Sequence, residues 1–257
     1  MKSIIFKIFC LIVCATTIFL SISTHTGAEE FCHWYIKKHK GKAPSFPKAA
    51  EHLKEYDVYY IDEDSSDKII YLTFDAGYEN GNVEKILDVL KAENVPAAFF
   101  LLDNIILKNT DLVSRMFDEG HTVCNHTKNH KNLSNASYDE ISRNLSALEK
   151  LCEEKTGYQM AKYFRFPEGS YSISALKSIK SLGYKTIFWS FAYDDWDNDR
   201  QMDSKKAFNK IIENTHNGAV VLLHPTSETN AEIMQDLILK WKEMGYRFGT
   251  LDELTSK

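Results

Sequence analysis

Short apolar runs alternate with amphipathic runs along the chain after about residue 66. Nearly continuous apolar runs of this kind are typical of strands buried on both faces, whereas apolar residues spaced three and four apart predict helices that cover such strands. The pattern predicts seven strands, at residues 69–74, 97–102, 121–125, 163–166, 185–191, 219–223 and, more weakly, 246–251.

Helical patterns separate these strands, at residues 82–94, 138–157, 207–218 and 231–245. Gly157, Gly218 and Gly245 are predicted to end three of them, because glycine readily adopts the left-handed conformation that terminates helices. Alternating strands and helices predict an α/β fold with a parallel sheet. Seven repeats of the alternation favour a barrel over an open sheet, although periodicity alone cannot close it.

The first 28 residues have a different character. Lys2 and Lys7 precede a long apolar run without acidic residues, and small residues follow it. This arrangement predicts a cleaved signal peptide at residues 1–28. An uncleaved membrane anchor is the alternative, because the run is near the lower length limit for a span. Residues 29–66 are less periodic and are predicted to form an N-terminal extension that packs on the barrel.

Composition, net charge and cysteine spacing argue against several classes of function. A hydrophobic content of 44% and a charged content of 26% are ordinary for a globular protein with a sizeable core. The net charge is −5, which argues against binding to a nucleic-acid backbone. Cys32, Cys124 and Cys152 are widely spaced and form no CxxC, so neither a disulfide framework nor a structural zinc site is indicated. An N-x-T glycosylation sequence at Asn125 adjoins His126, where a glycan would block the histidine if it is functional. A bacterial cell surface, without such glycosylation, therefore fits better than a eukaryotic secretory route.

Ionisable residues follow several of the predicted strands, where parallel α/β folds collect their chemistry. They are Asp75 after the first strand, His126 and His130 after the third, Arg165 in the fourth, Asp195 with Trp196 after the fifth, and His224 after the sixth. Each has an ordinary explanation alone: a helix cap, a chance HxxxH spacing of two histidines, or a core histidine. If the segment at His126 and His130 is helical, this spacing would place both on one face, which can bind a metal. Their coincidence at successive strand ends predicts one functional cleft.

Five short motifs carry a family resemblance. They are TFD-x-G from Thr73, H-T-x-x-H from His126, R-x-P-x-G from Arg165, D-W at Asp195 and L-x-H from Leu222. In this order they resemble the motifs of NodB-homology polysaccharide deacetylases, carbohydrate esterase family four. The runs TFDAGYENG and FWSFAYDDW, with the N-terminal extension, are most similar to the branch that de-N-acetylates muramic acid in spore-cortex peptidoglycan. The resemblance covers about residues 50–252.

The resemblance implies a distorted (β/α) barrel at residues 67–257 that hydrolyses an N-acetyl group with the help of a divalent metal, zinc being the first choice. Asp75 matches the catalytic base and Arg165 the residue that holds it. His224 matches the general acid, and Asp195 the carboxylate that tunes it.

The remaining matched positions concern the metal and the substrate. His126 and His130 match the metal-binding histidines. The backbone N–H of Glu168 matches the oxyanion donor, Leu222 matches the residue lining the acetyl-methyl pocket, and Trp196 is assigned to substrate binding.

Three positions depart from the family pattern. Ala76 replaces an aspartate that binds the metal, Lys131 replaces a proline and Ala192 replaces another aspartate. Because alanine cannot coordinate a metal, we expect weak metal binding. Asp75 swinging into the metal site, or water, would have to fill the gap.

The resulting hypothesis is a secreted, monomeric peptidoglycan deacetylase on the cell-wall side of a bacterial membrane. It would bind glycan strands but no nucleic acid, and would act on muramic acid en route to muramic δ-lactam. Deacetylation of N-acetylglucosamine in peptidoglycan or chitin, or of O-acetyl xylan, keeps the fold and changes the substrate. A non-catalytic glycan-binding relic is a third possibility. A glycosidase using Asp75 and Asp195 would leave the histidine pair without a role.

Overall fold

The structure is a computed structural model that describes residues 31–63 and 67–256. The predicted signal peptide lies outside the described residues. Strands in chain order are β1 (Cys32–His33), β2 (Lys37–His39), β3 (Lys42–Ser45), β4 (Val58–Tyr59), β5 (Ile69–Ala76), β6 (Ala98–Leu101), β7 (Thr122–Asn125), β8 (Tyr163–Phe164), β9 (Ser170–Tyr171), β10 (Lys185–Ile187), β11 (Ala219–Leu223) and β12 (Arg247–Phe248). Helices are α1 (Ala50–Leu53), α2 (Val83–Ala92), α3 (Asp103–Lys108), α4 (Thr110–Asp118), α5 (Tyr138–Thr156), α6 (Ile173–Ser181), α7 (Ser204–Glu213), α8 (Glu228–Glu243) and α9 (Leu251–Thr255).

The central sheet contains all seven strands predicted from the sequence. Its order is β11-β5-β6-β7-β8-β10-β4, with β12 beside the start of β5, and its strand pairs are parallel. Phe191, beyond β10, forms a bridge to Val221 in β11, which brings the two ends of the sheet together. The prediction of a distorted (β/α) barrel is therefore confirmed.

The two faces of β5 pack against different groups of residues, because successive side chains of a strand point to opposite faces. Phe74 and Ala76 belong to the apolar layer between the sheet and its helices. Ile69 and Tyr71 belong to a smaller cluster that also includes Leu251 of α9. Asp75 shares this second face, near the carboxyl end of the strand.

The N-terminal extension contributes to the same sheet. Its strand β4 pairs with β10, with Val58 opposite Thr186. Trp34 is buried, and its ring stacks on Phe188 at 4.8 Å between centroids. The division of the chain at residue 66 stays a prediction, but residues 31–63 supply both a strand and core side chains.

Three glycines are predicted to end helices, and the observed ends of α5, α7 and α8 can be compared with them. Gly157 follows α5 with a φ of 78°, as predicted, and Gly245 lies two residues beyond α8 with a φ of 84°. The prediction for Gly218 is wrong, since α7 ends at Glu213, where the Asn214 side chain donates to the Lys210 carbonyl.

Gly218 serves close packing instead. Its φ is 70°, and a β-carbon there would lie 2.2 Å from the Asp62 carbonyl oxygen of the extension. Within residues 31–63 and 67–256, none of the helices combines the length and apolar character needed to cross a membrane.

Candidate active site

A cavity of about 600 Å³ lies at the carboxyl ends of the central strands. Its lining consists of Asp75, His130, Phe166, Glu168, Trp189, Ala192, Tyr193, Trp196, Leu222 and His224. Six of the site residues predicted from the sequence are in this set. The other three, His126, Arg165 and Asp195, are buried and hydrogen-bond to or contact residues that line the cavity.

Arg165 holds Asp75 in place. The guanidinium is fully buried, and its Nη1 donates to Asp75 Oδ1 at 2.7 Å. Its Nε donates to the Ile187 carbonyl at 3.0 Å, and its Cζ lies 4.1 Å from the centre of the Phe100 ring. These contacts fix the guanidinium, so the carboxylate of Asp75 meets a cation in a defined position.

The electrostatics keep Asp75 ionised. Burial by itself raises the pKa of the carboxyl group. The charge of Arg165, followed by those of His126 and His224 in their protonated forms, outweighs burial and leaves the pKa of Asp75 below its ordinary value. The side chain is therefore a carboxylate at neutral pH, as a general base must be.

Thr73 is a site residue that the sequence analysis missed. Its Oγ1 accepts from Arg165 Nη2 at 2.9 Å and donates to the Val221 carbonyl at 2.7 Å. It stands two residues before Asp75 and so shares its face of the strand. A hydroxyl at that spacing within an apolar run was the signal that could have revealed it.

The two histidines approach each other on a turn. Their ring centres are 5.1 Å apart. The segment is not helical, so the condition under which the two would share a helix face does not hold. Thr127 and His130 adopt left-handed φ values of 71° and 58° in this bent segment.

His126 has the tautomer of a metal ligand. Its Nδ1 lies 2.9 Å from the Arg165 carbonyl, which can only accept, so Nδ1 carries the proton and Nε2 a lone pair. Nε2 lies 3.5 Å from Asp75 Oδ2. Burial is the main cause that lowers the pKa of His126 to about 4, so the ring is neutral at neutral pH.

The histidine pair suits a divalent transition ion such as zinc, whose nitrogen ligands must be neutral imidazoles. Among residues 31–63 and 67–256, however, no group of three His, Cys, Asp or Glu side chains is arranged to hold a metal. Ala76 is fully buried in the apolar layer beside the helices. Two histidine side chains are thus the donors that could hold a metal, and the expectation of weak binding stays a prediction.

We expect weak binding of Zn²⁺ to the chelator-treated protein, with loss of binding in His126→Ala. Ala76→Asp should melt at a lower temperature without metal, because it buries a carboxylate in the apolar layer beside the helices. It should bind Zn²⁺ more tightly if the local backbone turns the new carboxylate toward the histidine pair. Isothermal titration and thermal melting with and without Zn²⁺ measure both effects. Intact binding in His126→Ala would place the metal elsewhere, whereas equal affinity in wild type and Ala76→Asp would show that position 76 faces away from the histidine pair.

His224 and Asp195 form the second ionisable pair. His224 Nδ1 lies 2.7 Å from Asp195 Oδ1, and the backbone N–H of His224 donates to Oδ2 at 2.8 Å. Burial lowers the pKa of His224, but the carboxylate of Asp195 more than compensates, and the net pKa lies above the ordinary value. The imidazole therefore stays protonated to higher pH than a free histidine.

Three predicted substrate contacts lie on the cavity wall. Leu222 is buried, whereas Trp196 is 60% exposed at the rim, where an indole can pack on a sugar. Glu168 has a left-handed backbone with φ 59° and ψ 8°. Such a conformation is uncommon for a residue other than glycine and often marks a functional site.

Residues 62–187 match the polysaccharide deacetylase family. The chain is also 37% identical over 254 residues to the peptidoglycan-N-acetylmuramic acid deacetylase PdaA of Bacillus subtilis, with 96% of this chain and 95% of that protein covered. The chain therefore belongs to the polysaccharide deacetylase family.

Solved structures agree with this assignment. The structure of Bacillus subtilis PdaA, a family 4 carbohydrate esterase, matches with a TM-score of 0.84 at 38% identity, covering 88% of this chain and 97% of that one. A family 4 pseudoenzyme from Bacillus anthracis matches with a TM-score of 0.70 at 28% identity, covering 77% and 68%. The predicted resemblance to the PdaA-like branch is confirmed.

Proposed function

We propose that this protein is a secreted hydrolase that removes N-acetyl groups from peptidoglycan, acting on muramic acid en route to muramic δ-lactam in the spore cortex. The observation that carries the proposal is the placement of Asp75, whose pKa is lowered by Arg165, and His224, whose pKa is raised by Asp195, on the wall of one cavity. Amide hydrolysis needs both a base for water and an acid for the leaving nitrogen. The similarity to PdaA supports the choice of sugar.

Asp75 acts as the base in this proposal. It takes a proton from the attacking water, while Arg165 keeps the carboxylate ionised and oriented. The backbone N–H of Glu168 stabilises the oxyanion, and Leu222 packs on the acetyl methyl group. A hydrogen-bond donor aimed at the oxyanion is worth roughly 3–4 kcal/mol of barrier in comparable hydrolases.

His224 acts as the acid. Its protonated ring passes a proton to the departing amine, and Asp195 maintains that protonation. His126 and His130 would hold a divalent ion, which when bound would polarise a carbonyl oxygen and make water more acidic. The protein would work as a monomer, at the cell-wall side of a bacterial membrane, with glycan strands as its partner.

Activity should fall on the alkaline side as pH rises through the raised pKa of His224. In Asp195→Asn this limb should move to lower pH, because the imidazole loses the carboxylate that raises its pKa. The pH dependence of kcat/KM in both proteins measures the shift. An unchanged alkaline limb in the variant would remove His224 as the acid.

The deciding experiment is mass spectrometry of glycans incubated with the purified mature protein and added Zn²⁺. We expect loss of acetyl from muramic acid residues that lack their peptide, and little from chitin oligomers. Asp75→Asn serves as the matched inactive control. Loss of acetyl from glucosamine units alone would replace muramic acid by N-acetylglucosamine as the substrate.

A non-catalytic glycan-binding role is the second candidate. Ala76 removes a metal ligand, and a family 4 pseudoenzyme is among the structural matches. The acid–base arrangement argues against it, since sugar binding needs neither Asp75 beside Arg165 nor His224 beside Asp195. Binding of glycan strands without any loss of acetyl, over a range of metals, would establish this role instead.

A further inference from the structure

Behind the His224–Asp195 pair lies a buried amide, Asn230 of helix α8, which is fully enclosed. Its Nδ2 donates to Asp195 Oδ2 at 2.7 Å and to the His224 carbonyl at 3.0 Å. Its Oδ1 accepts from the Tyr193 hydroxyl at 2.5 Å. One side chain therefore contacts both members of the pair and a residue of the cavity wall.

The chemistry of the neighbours allows one orientation of this amide. The Asp195 carboxylate and the His224 carbonyl only accept hydrogen bonds, so the NH₂ group of Asn230 must face them. The hydroxyl of Tyr193 then donates to the remaining oxygen. A fully satisfied buried network of this kind restrains its members to a single arrangement.

Asp195 depends on such restraint. It is 1% exposed and belongs to the irregular segment between β10 and α7. Its Oδ1 meets His224 Nδ1, while Oδ2 receives the backbone N–H of His224 and the amide of Asn230. Without Asn230, Oδ2 loses a donor and the carboxylate gains freedom to rotate away from the imidazole.

We propose that Asn230 is a positioning residue for the reaction, holding Asp195 so that its carboxylate stays against the imidazole of His224. This inference rests on the proposed role of His224 as the acid. The other charged groups that act on His224 are Asp75 of β5 and Arg165, which directly follows β8. Neither is among the hydrogen-bond partners of Asn230 in the described part of the chain.

Nuclear magnetic resonance titration of the His224 ring tests the inference without any substrate. The signal is assigned by its absence in His224→Gln. In Asn230→Leu, which is similar in size, we expect the pKa of His224 to fall by about half a unit or more, since the charged form loses its aligned partner. The alkaline limb of the pH profile of kcat/KM should move to lower pH by the same amount.

Tyr193→Phe provides a milder variant in case Asn230→Leu fails to fold. It removes only the hydroxyl that orients the amide, so we expect a smaller fall in the same direction. Tyr246→Phe is the matched control, because Tyr246 donates to Asn217 Oδ1 at 3.1 Å in a similar Tyr–Asn pair away from the cavity. It should leave the pKa of His224 unchanged.

Two results would contradict the positioning role of Asn230, and each has a different meaning. An unchanged pKa in Asn230→Leu and Tyr193→Phe would make Asn230 a structural residue only. A raised pKa would show that the amide merely withdraws charge from Asp195, and would also overturn the positioning role. If wild type lacks deacetylase activity, the proposed function fails, while the titration still decides whether Asn230 positions Asp195.

Discussion

Asp75→Asn should lower kcat by a factor of about 100 or more, the usual scale for removing a general base. Asparagine has nearly the same shape and keeps an oxygen that can accept from Arg165 Nη1, so the buried guanidinium retains a hydrogen-bond partner. It cannot take a proton from water. Release of acetate from glycan strands, measured at saturating substrate, gives kcat directly.

Asp103→Asn is the matched control for this variant. Asp103 begins α3 just beyond the neighbouring strand β6 and is not part of the cavity lining. We expect near-normal turnover in the control. Because Asp75→Asn also removes the charge opposite a buried arginine, its melting temperature should fall, and the assay must be run well below it. Near-normal turnover in folded Asp75→Asn would refute the role of Asp75 as the base.

His224→Gln is expected to reduce kcat on N-acetyl substrates by a similar factor of about 100 or more. The amine leaving group of an amide requires a proton, which glutamine cannot deliver. An activated aryl acetate has a leaving group that departs without protonation. The same variant should therefore lose much less activity on an aryl acetate, whereas Asp75→Asn should lose activity on both substrates.

His216→Gln separates this effect from the loss of any buried histidine. His216 hydrogen-bonds to the Ser190 hydroxyl at 2.9 Å and is not part of the cavity lining. We expect it to change stability but not the ratio of activities on the two substrates. Equal losses of His224→Gln on amide and aryl acetate would contradict a role in protonating the leaving group.

Much of the fold could be predicted because local physics and global packing agree there. The runs 69–74 and 219–223 are almost wholly apolar, which suits strands covered on both faces, and both became central strands. Predictions failed where a partner distant in sequence decides the outcome. Strand β4 exists because Val58 pairs with β10, more than a hundred residues later, and Gly218 is needed where Asp62 approaches it.

The sequence by itself determined which ionisable residues collect at the strand ends, because motifs such as TFD and R-x-P-x-G record chemistry in residue types and spacing. Only the tertiary structure decided which backbone turns and hydrogen bonds hold these residues in place. The histidine pair meets through left-handed turns, which spacing cannot reveal. Thr73 reaches Arg165, and Asn230 reaches Asp195, across separate elements. Hydrogen bonds of this kind depend on where the folded backbone places each side chain, and no short stretch of sequence contains that information.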